Sequence, residues 1–157
     1  MVKRRNKWPD GQPSLKAETT MKVRFSEVDS MKIVWHGNYV HYFEDGREAF
    51  GKQYEGLSYL DMYANGHTAP IVDMRLQYLR PLTVGDTAII ETRYIDSPAA
   101  KLCYEYIIRR CSDGEIAVKG TTTQVFLDSN GELCLTLPKF VEEWKKRWLK
   151  SSLCFSA

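Results

Sequence analysis

A chain of 157 residues and 18.2 kDa has room for one domain with a sizeable core and excludes a two-domain nucleotide enzyme. Hydrophobic residues at 43% and charged residues at 27% exclude a disordered or collagen-like chain, and no run approaches the ~18 consecutive apolar residues of a membrane span. The net charge of +2 is concentrated at the start: Lys3, Arg4, Arg5, Lys7 and Lys16 outweigh Asp10 and Glu18, so residues 1–19 carry +3 and the remainder −1. Residues 1–19 are therefore expected to be a basic tail outside the fold, residues 20–150 a single domain, and residues 151–157 a second tail. A nearly neutral body argues against nucleic acid as a partner. No apolar segment follows the basic residues before Lys16, which argues against a secretory signal and makes the cytoplasm the expected compartment.

Cys103, Cys111, Cys134 and Cys154 form no C-x-x-C pair, and His36, His41 and His67 lack the i, i+4 spacing of a helical zinc pair, so no metal site is expected.

In chain order, Met21 to Ser26 alternates apolar and polar residues, which predicts a strand over about 20–28. A polar break at Asp29-Ser30-Met31-Lys32 and a short apolar run, Ile33-Val34-Trp35, lead to His36-Gly37-Asn38. Asn38 is a suitable N-cap, and Tyr39, Phe43, Gly46 and Phe50 then recur on one helical stripe, which predicts a helix over about 39–54. Gly46 inside that stripe implies a very close neighbour, since glycine in a helix otherwise costs roughly 1 kcal/mol relative to alanine. A shorter helical piece over 57–63 should stop at Asn65-Gly66.

From Ala69 onward the pattern is strand after strand: 71–79, 87–95, 102–111, 115–128 and 132–136, punctuated by Arg80-Pro81, Ser97-Pro98 and the hairpin dipeptides Asp113-Gly114 and Asn130-Gly131. Pro138 opens a last helix with Phe140, Val141, Trp144 and Trp148 on one side. The order predicts an α+β fold in which one curved antiparallel sheet wraps a long central helix, with sheet edges that call for a homo-oligomer.

The run Val23 to Tyr39, with Tyr42-Phe43-Glu44-Asp45-Gly46-Arg47 after it, resembles the signature of the hotdog-fold acyl-CoA thioesterases of the 4-hydroxybenzoyl-CoA thioesterase type. Tyr78 to Asp86 is similar to their strand-end motif, and Gln124 to Pro138 to their C-terminal pattern. The resemblance implies a hotdog fold, a dimer or tetramer with its site between subunits, acyl-CoA as substrate, and no cofactor beyond the coenzyme A of that substrate. It implies Asp29 as the catalytic carboxylate, acting as nucleophile or general base, and the His36 backbone N–H as oxyanion donor. The His36 side chain has either a catalytic or a structural role. Val34, Trp35 and Tyr39 are candidates for the pocket wall. Lys32 replaces the glycine usual in the family, and a cation there would bear on Asp29 and on substrate. Glu44 and Arg47, at i and i+3, read as a structural pair. An acyl-carrier-protein thioesterase and a non-catalytic acyl-CoA-binding protein are the alternatives.

Overall fold

The computed structural model describes residues 15–154, with side chains through Leu149. Eight regular elements follow in chain order: β1 (Lys16–Lys22), α1 (Tyr39–Gln53), α2 (Tyr59–Ala64), β2 (Ile71–Tyr78), β3 (Thr87–Ile95), β4 (Lys101–Arg110), β5 (Ile116–Val125) and α3 (Lys139–Cys154). The strands form one antiparallel sheet in the order β1-β3-β4-β5-β2, curved around α1 and not closed into a barrel.

The central helix follows its stripe: Tyr39, Phe43, Gly46 and Phe50 are all buried. Gly46 sits where the helix crosses β3, and a Cβ there would collide with Thr92 Oγ1 and lie 2.9 Å from Ile90 Cγ2. Opposite, Gly120 on β5 makes room for the Phe43 ring, which stacks on Tyr106 at 4.2 Å between centroids. The pair Glu44–Arg47 forms at 3.7 Å, and Arg47 also donates to the Tyr106 hydroxyl.

The last helix closes the far end of α1. Val141 and Trp144 are buried, and the indole N–H groups of Trp144 and Trp148 donate to the carbonyls of Tyr54, the C-cap of α1, and of Glu55 just beyond it. Lys145 pairs with Asp96 at 2.8 Å and ties α3 to the end of β3; its hydrogen bond and charge hold the Asp96 carboxyl below the usual carboxylate range against partial burial.

Three expectations need correction. The first strand is Lys16–Lys22, so residues 16–19 belong to the sheet and not to a tail; beyond Val23 the alternation is broken by a 3-10 turn, Phe25–Glu27, in which the Glu27 carboxylate accepts from the Arg24 N–H and Phe25 is left 83% exposed. The Asn130-Gly131 turn forms, with Gly131 at φ +76°, but no strand follows over 132–136; a single bridge, Leu127 to Leu133, is all the pairing there. The final helix runs to Cys154, past the expected boundary at residue 150. Residues 1–14, which include most of the expected basic tail, and residues 155–157 lie outside the described residues. Among those described, no helix is long and apolar enough to cross a membrane, and Cys103, Cys111 and Cys134 are free thiols.

Gly46→Ala is expected to lower stability. The helix-propensity gain of about 1 kcal/mol is outweighed by overpacking against Thr92 and Ile90, typically about 1–3 kcal/mol. A urea midpoint at or above that of the wild type would show that the contact yields freely.

Candidate functional site

The segment between the 3-10 turn and α1 folds back on itself as a short hairpin. Val28 bridges Val34, the Asp29 N–H donates to the Ile33 carbonyl at 2.8 Å, and the Lys32 N–H donates to the Asp29 carbonyl at 2.9 Å. The Asp29 side chain locks this turn from within, its Oδ1 accepting from the Met31 N–H at 2.7 Å, which is the usual way a short acidic side chain stabilises a turn. Its second oxygen makes no hydrogen bond among the described residues. Lys32 closes the loop at φ +63°, the one non-glycine residue with positive φ among those described. This left-handed position is where glycine fits without strain, so the loop keeps a glycine's geometry with a lysine in it.

The chain is then anchored to the loop between β2 and β3 and to the preceding 3-10 turn. The Val34 N–H donates to the Leu82 carbonyl, and Trp35 N–H and Asn38 Nδ2 both donate to the Glu27 carbonyl. A 3-10 turn, His36–Asn38, runs directly into α1. Asn38 thus precedes the helix as expected, but it is helical itself, and its side chain is spent on Glu27 and does not cap. The His36 and Gly37 N–H groups begin this helical run and carry no acceptor among the described residues; a helix start leaves its first donors open by construction. The His36 carbonyl accepts from the Tyr78 hydroxyl at 2.9 Å, which fixes the orientation of that peptide from the end of β2.

Asp29, Val34, His36 and Tyr39 line one cavity of about 380 Å³, completed by Met31, Ile33 and the strand-end residues Tyr78, Leu79, Arg80 and Pro81. Val34 and Tyr39 are buried; burial first, and the neighbouring Tyr78 and Asp86 after it, raise the Tyr39 phenol above its ordinary pKa, so it stays protonated. The structure does not bring the other two sequence candidates to this wall. Trp35 is half exposed, with its indole over Gly37 and beside the His36 ring at 5.0 Å. Lys32 is exposed and makes no ion pair with Asp29. Tyr78 and Arg80 were not singled out from sequence; the signal was present in the strand-end motif, whose proximity to Asp29 depends on pairing across the sheet. Arg80 is paired with Glu115 at 3.2 Å in a half-exposed position. A second cavity, about 1120 Å³, lies at the other end of β2 between α1, α2 and the sheet.

A carboxylate with a free oxygen beside open backbone donors, in a largely apolar pocket, is an arrangement for hydrolysing an activated acyl group. The family model described as "Thioesterase-like superfamily" matches residues 23–145. The chain belongs to that superfamily. A relative named putative acyl-CoA thioesterase YneP, of Bacillus subtilis (strain 168), is 33% identical over 131 residues, 83% of this chain and 94% of its own. The chloroplastic acyl-acyl carrier protein thioesterase ATL3 of Arabidopsis thaliana is 25% identical over 112 residues, 71% of this chain and 58% of its own. Among solved structures, the DHNA-CoA thioesterase from Staphylococcus aureus superposes with a TM-score of 0.77 at 24% identity, covering 88% of this chain and 91% of that one, and supports the hotdog fold. This member of the superfamily is a thioester hydrolase.

Because its loop already has the left-handed geometry, Lys32→Gly is expected to raise stability by up to about 1 kcal/mol, part of the relief being offset by glycine's larger freedom in the unfolded chain. A higher urea midpoint with an unchanged slope is the expected result; a lower midpoint would mean that the lysine side chain contributes more than its backbone strain removes.

Proposed function

We propose that the protein hydrolyses acyl-CoA thioesters carrying an aromatic or short to medium aliphatic acyl group, at the cavity that holds Asp29 and the start of the α1 run. The observation that carries this reading is the presence, on the wall of one cavity, of Asp29, whose second carboxylate oxygen makes no hydrogen bond among the described residues, and of His36, whose N–H has no acceptor among them. The thioester carbonyl oxygen would accept from the His36 N–H as charge develops on it. Either Asp29 Oδ2 takes a proton from water as that water attacks, or it attacks directly and the resulting anhydride is hydrolysed; in both routes the carbon–sulfur bond breaks and coenzyme A leaves as the thiol. Water and one carboxylate suffice, so the reading needs no cofactor. Arg80 is the cationic side chain on this wall for the negatively charged part of the substrate.

Asp29→Asn separates catalysis from folding, since an asparagine oxygen can still accept from the Met31 N–H and hold the turn. It is expected to lose at least about 10²-fold in kcat with stability retained. Thiol release from a panel of acyl-CoAs, run beside the matching acyl carrier protein thioesters, is the test. Wild-type turnover in the variant removes Asp29 from the reaction, and faster turnover of the carrier-protein substrates would favour the activity named for the Arabidopsis relative. Binding of acyl-CoA without any thiol release would leave a binding protein.

The same site motivates an oligomer. Among the described residues strand β2 pairs only with β5, so its outer edge is open; exposed along it are Val72 and Tyr78 together with Asp73, Arg75 and Gln77. The other edge, β1, exposes Lys16, Glu18 and Lys22 and lines neither cavity. Two β2 strands joined antiparallel about a two-fold axis would set the Tyr78 end of one against the Ile71 end of the other, and so bring the Asp29 cavity of one copy to the larger cavity of its mate. Light scattering is expected to give a multiple of 18.2 kDa; a fully active monomer would reverse this.

A further inference from the structure

The turn that opens the helical run has two forms available to it. The Asn38 N–H donates to the Trp35 carbonyl at 2.9 Å, so Trp35 to Asn38 is a four-residue turn closed by its own hydrogen bond. The peptide between His36 and Gly37 lies inside that closure and can rotate by half a turn without opening it; its two orientations are the type I and type II turns. Type II requires positive φ at the third residue. That residue is Gly37, and glycine takes positive φ without a steric penalty. The structure holds the first form, since His36–Asn38 is a 3-10 turn and φ at Gly37 is not positive. The glycine is imposed by packing: the Trp35 indole lies on it, and a Cβ at residue 37 would collide with the ring. Freedom to flip therefore comes with the placement of Trp35, and a contact from outside the turn is needed to favour one form.

Tyr78, at the end of β2, supplies such a contact. Its hydroxyl donates to the His36 carbonyl at 2.9 Å, and its ring stands edge-on to the buried Tyr39 with 5.5 Å between centroids, so the hydroxyl is aimed from a fixed support. A flip would turn the His36 oxygen away from Tyr78 and put it where the Gly37 N–H had been, beside the His36 N–H. N–H groups at the start of a helical run favour an anionic oxygen, and a carbonyl oxygen among them repels it. We propose that Tyr78 is a positioning residue that latches the His36–Gly37 peptide in the observed orientation, and that releasing the latch turns the site off without unfolding it. This rests on the thioesterase reading for the charge that the site receives; the latch itself belongs to the free protein.

The experiment compares the full-length wild type with Tyr78→Phe, Gly37→Ala and the two substitutions together. Tyr78→Phe keeps the ring against Tyr39 and removes only the hydroxyl. It is expected to populate the flipped form, seen by NMR relaxation dispersion as microsecond-to-millisecond exchange at the amides of Gly37 and Asn38 that the wild type lacks. Alanine resists positive φ, so in the double variant this exchange at residues 37 and 38 should vanish; the half-exposed Trp35 ring can move aside for the added methyl, and thermal melting checks that the variants stay folded. With CoA thioesters, Tyr78→Phe should lower kcat about fivefold, as loss of one hydrogen bond implies, with KM nearly unchanged. Added to Gly37→Ala, it should lower kcat by less than about twofold, because the flipped form is already closed to alanine. A tyrosine that only supports the fold gives the same loss in both backgrounds. Exchange absent from Tyr78→Phe, exchange undiminished in the double variant, or an equal loss of kcat in both backgrounds overturns the proposal. The NMR arm requires no turnover: the expected exchange without thiol release from any thioester keeps the latch and removes the activity, whereas thiol release without that exchange keeps the activity and removes the latch.

Discussion

The helix α1 can lie in the curve of the sheet only because neither surface carries a Cβ where the two press closest. Gly46 meets Thr92 and Ile90, and Gly120 admits the ring of Phe43. With any side chain at either position the helix would ride higher, and Phe43 would lose its stack on Tyr106. Thr92 Oγ1 is buried without a hydrogen-bond partner under this contact, a polar loss that the close packing has to outweigh. Pinned at its middle, the helix has little freedom at its ends: the indoles of α3 hold the chain where it leaves α1, at Tyr54 and Glu55, and Tyr78 at the end of β2 holds the 3-10 turn that enters it.

That last contact turns an ordinary loop into a site. The Asp29 turn needs only local contacts, its own carboxylate and a left-handed residue at 32, and similar turns occur wherever chains reverse. What differs here is that one oxygen of the turn-forming carboxylate makes no hydrogen bond among the described residues, and that His36, which opens the next helical run, lines the same cavity. The Tyr78 hydroxyl bond to the His36 carbonyl couples the two, because it fixes the plane of the peptide from strand β2. The site is therefore rigid on three sides: a turn, a helix start and a strand end, each set by different contacts.

These contacts explain what could be read from the sequence. The helix stripe, the strand limits at Pro81 and Pro98, and the Asp113-Gly114 hairpin are written in neighbouring residues, and the structure follows them closely. Where a feature needs a distant partner the local signal misleads: Asn130-Gly131 makes its turn, but residues 132–136 find no neighbouring strand, and Phe25 continues an alternation that the Arg24–Glu27 turn has already ended. Asp29 and His36 stand out only through the resemblance of the whole segment to thioesterases, because an aspartate in a turn has no distinguishing chemistry of its own. Tyr78 and Arg80 could not be placed without the strand order.

Strand β2 spans eight residues, roughly 26 Å at a strand's usual rise, with a cavity at each end. That separation keeps the two cavities apart within a single chain. It is the separation that an antiparallel pairing of two β2 edges would cancel, since each strand would place its own Tyr78 end beside the other's Ile71 end. Both edges carry exposed charged residues, Lys16, Glu18 and Lys22 on β1 and Asp73 and Arg75 on β2, but only β2 borders the cavities. An open edge is a liability in a monomer. The open β2 edge runs from one cavity to the other, so a pairing across it would set the Tyr78 end of one copy against the Ile71 end of the other.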